Sequence, residues 1–164
     1  MQNRIGINTG KLVTGNMGST MGMNYTMRGD TVNLPARLEA SAKQYGVYIQ
    51  VAEETYKACK DKFIWRDLDY VIVMGKTEPA QVFELISEKG NMPKGYDKLL
   101  PAYDEALKLY RNQEWEKAID AFKASNELED MFPGRKTNPS KSTFHVVNII
   151  KKIHPGMIGM APGH

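Results

Sequence analysis

An α/β (α+β) domain followed by a C-terminal helical hairpin is the fold class this sequence predicts, and three observations predict it. Through residue 87, short apolar runs alternate with segments of helical spacing. Residues 88–95, EKGNMPKG, break that composition and read as a linker. Residues 96–130 then show helical spacing alone, in two runs around a short polar turn, and 131–164 read as an irregular tail punctuated by Gly, Pro, Lys and Met.

Each element has a local cause. Ile5 and Ile7 alternate with Arg4, Gly6 and Asn8, which predicts a strand over 4–8. Thr9-Gly10-Lys11 is a turn and Leu12-Val13-Thr14 a return strand ending at Gly15, so 4–15 is expected to form a hairpin. Residues 16–24, NMGSTMGMN, look like a loop. Asp30 suits an N-cap. The helix it opens would bury Val32, Leu34, Leu38, Ala42 and Tyr45, with Pro35 inside its early turns and Gly46 ending it. A strand over 47–51, a helix over 52–58, an irregular strand over 63–68 and two strands over 71–74 and 80–86 around GKTEP complete the domain. In the second part, Leu99, Tyr103, Ala106, Leu107 and Tyr110 recur at helical spacing. Trp115, Ala118, Ile119, Phe122, Ala124 and Leu128 do so after the turn 112–114, which favours antiparallel neighbours. This pair is similar to one tetratricopeptide unit. One such unit leaves an apolar face uncovered, so it is expected either to be a plain structural hairpin or to dock on a partner.

Composition narrows the function. Of 164 residues, 41% are hydrophobic and 25% charged, with an interspersed net charge of +3. That balance gives no basis for a nucleic-acid or polybasic membrane partner. No apolar run approaches the roughly 20 residues of a membrane span, the first residues lack a signal core, and a cytoplasmic location is expected. Cys59 is the single cysteine, which excludes an intrachain disulfide and reads as a packed thiol. His145, His154 and His164 show no metal-ligand spacing, and neither GINTG nor GNMGSTMG matches a phosphate loop.

The chemistry concentrates in Tyr25–Glu39, YTMRGDTVNLPARLE. Asn33 and Arg37 stand four residues apart, hence on one helix face. An amide beside a guanidinium suits an oxyanion or phosphate, although the same residues can serve as a local hydrogen-bonding group and a solvated helix charge. The segment resembles the signature of class III nucleotidyl cyclases, and the likeness runs from about Arg4 to Leu85. It implies the C-terminal portion of a ferredoxin-like cyclase domain over residues 1–87. It further implies that Asn33 and Arg37 stabilise the transition state as the ribose 3′-oxygen attacks the α-phosphorus and pyrophosphate leaves. Thr26 falls where the family reads the purine edge, implying ATP over GTP. The family's phosphate-binding lysine comes from a VKGK-like turn. Here the turn is VMGK, with Met74 at the first lysine position and Lys76 two residues on. The resemblance implies Mg²⁺ or Mn²⁺, yet neither aspartate motif that binds them occurs in this chain, so no metal ligand is assigned. The expectation is a cyclase region that is inactive by itself and completed by a homodimer or a complementing subunit. The alternative is a non-catalytic remnant that binds partners through its dimer surface or helical hairpin.

Overall fold

The computed structural model describes residues 3–19, 22–28, 30–71 and 79–132. The elements are β1 (Ile5–Ile7), β2 (Val13–Ser19), β3 (Gly22–Arg28), α1 (Asp30–Tyr45), β4 (Ile49–Ala52), α2 (Glu53–Cys59), β5 (Phe63–Val71), β6 (Ala80–Glu88), α3 (Tyr96–Arg111) and α4 (Trp115–Asp130). They divide into two compact units. One comprises residues up to Lys43 together with Tyr48–Lys89, the other Gln44–Val47 together with the chain from Gly90 onward.

The first unit is built on a four-stranded sheet of order β1-β4-β6-β5, with β1 parallel to β4 and the other pairs antiparallel. This corrects the expected 4–15 hairpin. β1 pairs with β4 (Ile5↔Ile49, Ile7↔Val51), and Ile5 N–H donates to the Tyr48 carbonyl at 2.8 Å. β2 instead pairs antiparallel with β3 over seven positions, from Val13↔Arg28 to Ser19↔Gly22. Residues 16–19 and 22–24, expected as a loop, are therefore strand. Gly15, Gly18 and Asn16 have low strand propensity, but pairing with β3 along seven positions outweighs it. Parallel partners need a long crossover, and β2, β3 and α1 together provide it. β5 is one strand through Val71, with register irregularities at Ile64/Trp65 and Asp67/Asp69. The expected strand over 71–74 falls beyond Val71 mostly outside the described residues.

α1 keeps Pro35 within it and starts at Asp30, so Asp30 is its first residue rather than the preceding cap. Gly46, at φ 68°, follows the helix as the left-handed terminator that its sequence predicts. Leu34, Leu38 and Ala42 are buried on one side, contributing about 1.5–3 kcal/mol for each large apolar side chain. The helix backbone comes close to β1. A Cβ on Gly6 would collide with the Pro35 carbonyl oxygen and stand 2.7 Å from the Glu39 nitrogen. Gly6→Ala is therefore expected to destabilise this unit by about 2 kcal/mol or more, since overpacking against backbone has no side chain to move. Urea unfolding of the variant checks it.

Alternation divides the sheet's two faces. On one, α2 packs Tyr56 against Phe83 (centroids 3.9 Å, stacked) and edge-on to Trp65 (5.4 Å). α2 also carries Lys57, whose hydrogen bond and ion pair with Glu53 (2.8 Å) hold it above the ordinary lysine value. The other face carries Gln50, Glu84 and Arg66.

In the second unit, α3 and α4 pack through Tyr103, Ala106, Leu107, Ala118, Ile119 and Phe122, with Tyr110 and Trp115 against that cluster. Helical spacing predicts all of these, but it also includes Ala124, which is exposed, while Ser125 beside it is buried. Tyr103 meets Phe122 edge-on at 5.7 Å, and Tyr110 meets Trp115 likewise at 5.7 Å beside the turn. Gly95 opens α3 at φ 91°, and Phe132 stacks on Tyr96 at 5.2 Å. A Cβ at Gly95 would strike the Phe132 ring. Gly95→Ala is expected to cost about 1–2 kcal/mol from the left-handed backbone alone, more if the Phe132 ring must move. The helical unit's thermal midpoint should fall accordingly.

Candidate active site on helix α1

α1 begins two residues after β3 ends, so the strand delivers the chain directly into the helix carrying Asn33 and Arg37. Both side chains are exposed, one turn apart, while Leu34 and Leu38 anchor the adjoining side. Neither engages a hydrogen-bond or ionic partner among the described residues. A buried anchor therefore presents two exposed donor groups at fixed spacing, which can bind a phosphoryl oxygen and stabilise negative charge.

Thr26 lies in β3, opposite Gly15 in the ribbon. Lys76 and Met74 lie outside the described residues, as do His145, His154 and His164. The structure thus places Asn33 and Arg37 on one helix face and Thr26 on the preceding strand.

Among the described residues, no three His, Cys, Asp or Glu side chains group closely enough to hold a metal ion. The Arg37 guanidinium has no lone pair to offer and repels a cation, so the α1 pair does not fit a metal. A groove of about 870 Å³ lined by Lys94, Gly95, Leu128, Met131 and Phe132 belongs to the helical unit. No helix among the described residues is long and apolar enough to cross a membrane.

The sequence reading missed a buried polar row behind α1. Arg66 is fully buried and contacts Glu84 through Nε (2.8 Å) and Nη2 (2.7 Å), both on Oε2. Gln50, fully buried, pairs in register with Glu84. A charged residue on each of two antiparallel strands was the available signal, but register cannot be read without knowing the bulge positions.

The profile of the adenylate and guanylate cyclase catalytic domain matches residues 1–86. The chain belongs to this family. It is 34% identical over 128 residues to the terminal-differentiation-specific adenylate cyclase of Dictyostelium discoideum, covering 76% of this chain and 6% of that protein. It is also 34% identical over 83 residues to adenylate cyclase 1 of Rhizobium meliloti (strain 1021), covering 51% of this chain and 12% of that protein. The chain thus spans only a small part of these relatives' length. Among solved structures, the adenylyl cyclase CyaB from P. aeruginosa is similar at 33% identity and TM-score 0.45, over 55% of this chain and 45% of that one. Coverage of 76% exceeds what residues 1–86 can supply, so similarity to the Dictyostelium protein continues through α3.

Proposed function

We propose that this chain supplies the transition-state half of a class III adenylate cyclase site, converting ATP to cyclic AMP and pyrophosphate for signalling from the cytoplasmic compartment. The observation that carries this reading is the exposed Asn33–Arg37 pair on a helix anchored by Leu34 and Leu38. In the reaction, the ribose 3′-oxygen bonds to the α-phosphorus, the bond to the β-phosphate bridging oxygen breaks, and the 3′-hydroxyl proton passes to solvent. Arg37 and Asn33 donate to the oxygens on which charge develops, each worth about 3 kcal/mol by analogy with oxyanion donors. We assign Thr26 as the acceptor for the adenine amino group and Lys76 as the phosphate-binding cation in place of the lysine that Met74 displaces. The metal-binding aspartates would come from a complementing subunit, and the Mg²⁺ or Mn²⁺ they hold would supply charge neutralisation.

Two named adenylate cyclases among the relatives support ATP over GTP. The continuation of similarity through α3 supports the tetratricopeptide-like hairpin as a standing companion of the catalytic region rather than an accidental appendage. The test is to mix the chain with a cyclase domain carrying the aspartates and to assay both nucleotides. Cyclic AMP in excess of cyclic GMP supports the proposal. No product from either nucleotide favours the second reading, a non-catalytic partner-binding remnant.

A further inference from the structure

The buried row behind α1 has no role in the chemistry just described, and it is costly. Three polar side chains stand abreast across three strands: Gln50 on β4, Glu84 on β6 and Arg66 on β5, in the registers Gln50↔Glu84 and Arg66↔Glu84. Gln50 and Arg66 are fully buried and Glu84 is 5% exposed. Apolar residues of similar volume would serve stability as well or better. What a polar row supplies instead is a unique position, since directional contacts break when an element slides or rolls.

That row reaches α1 through Ser41. Ser41 Oγ lies 3.2 Å from the Leu38 carbonyl oxygen and 3.1 Å from the Gln50 side-chain amide. A hydroxyl has one proton, so it cannot donate to both the Leu38 carbonyl and a Gln50 oxygen. The Gln50 Nε2 atom is itself buried without a partner when Oε1 faces Ser41. Turning the amide resolves both problems: Nε2 donates to Ser41 Oγ, and Ser41 donates to Leu38.

Ser41 follows Arg37 by four residues, as Arg37 follows Asn33, so all three lie along one stripe of the helix. We propose that Ser41 and Gln50 are positioning residues for the Asn33–Arg37 pair, their hydrogen bond fixing the roll of α1 on a sheet whose register is locked by Arg66 and Glu84. This rests on the cyclase reading above. With side chains, a helix has a radius of about 5–6 Å, so a roll of about 10° moves a donor by about 1 Å, a misplacement that can cost on the order of 100-fold in rate.

The test uses the full chain mixed with an aspartate-carrying cyclase domain. Ser41→Ala and Gln50→Met should each lower kcat by about 10-fold or more with a smaller change in KM, and Ser41→Thr, which keeps the hydroxyl, should restore it. Amide hydrogen exchange on the unmixed chain supplies an arm independent of catalysis. Exchange across residues 34–42 should quicken in Ser41→Ala and Gln50→Met while that of α4 stays unchanged. Wild-type kcat in Ser41→Ala, failure of Ser41→Thr to rescue, or unaltered α1 exchange overturns the inference. Absence of turnover in the unmodified mixture defeats the cyclase reading instead, and the exchange arm then decides whether the contact holds α1.

Discussion

Arg37→Ala should abolish the cyclic AMP synthesis that this chain gains on mixing with an aspartate-carrying cyclase domain, and the 164-residue chain alone should make none from ATP and Mn²⁺. The two results share one cause. Phosphoryl transfer relies on neutralising charge at the phosphoryl oxygens and the leaving group, by metal on one side and fixed donors on the other. On the proposed reading this polypeptide carries the donors, and its sequence holds neither aspartate motif of the family. In the mixture, losing the guanidinium should reduce kcat by about 100- to 1,000-fold, as for an oxyanion donor, with a smaller rise in KM because the contact tightens in the transition state. Arg37 is exposed, so its loss should change stability by no more than about 0.5 kcal/mol. Asn33→Ala should act in the same direction. A normal rate for Arg37→Ala in the mixture removes the site assignment. Turnover by the chain alone shows that it provides its own metal carboxylates.

The parts of this protein legible in its sequence are those governed by local pattern. Helical spacing gave α3 and α4 and the residues between them, because Tyr103, Leu107 and Phe122 are both periodic and buried. α1 was legible for the same reason, with Gly46 marking its end. Strand pairing was not. Ile5 and Ile7 look the same whether their partner is Val13 or Val51, and only the fold brings β4 alongside β1. The β2–β3 ribbon was hidden by glycine and asparagine, whose low strand propensity is overridden by pairing along its length. The same division applies to the site. Asn33 and Arg37 are four residues apart and readable. Ser41, Gln50, Arg66 and Glu84 come from four elements and meet only through register.

The second large effect belongs to the Arg66–Glu84 pair. Replacing Glu84 by Leu leaves a fully buried guanidinium without its carboxylate, and replacing Arg66 by Met leaves a carboxylate without its cation. Each single change should cost about 3–5 kcal/mol, a large share of a domain stability of about 5–15 kcal/mol. Arg66→Met together with Glu84→Leu removes both charges and keeps apolar volume, so the double variant should recover most of that loss or exceed the parent. Urea unfolding of the four proteins gives the coupling energy directly. The two functions of the pair then separate. If it serves stability alone, the double variant regains activity in the mixture along with its fold. If it locks the register on which Gln50 and Ser41 depend, the double variant folds well yet turns over slowly, because β5 and β6 can no longer hold the row that α1 is seated on. A loss in the double variant equal to the sum of the two single losses would mean the two side chains are not energetically coupled across the strands, and the lock would have to come from packing around Leu68 and Val82 instead.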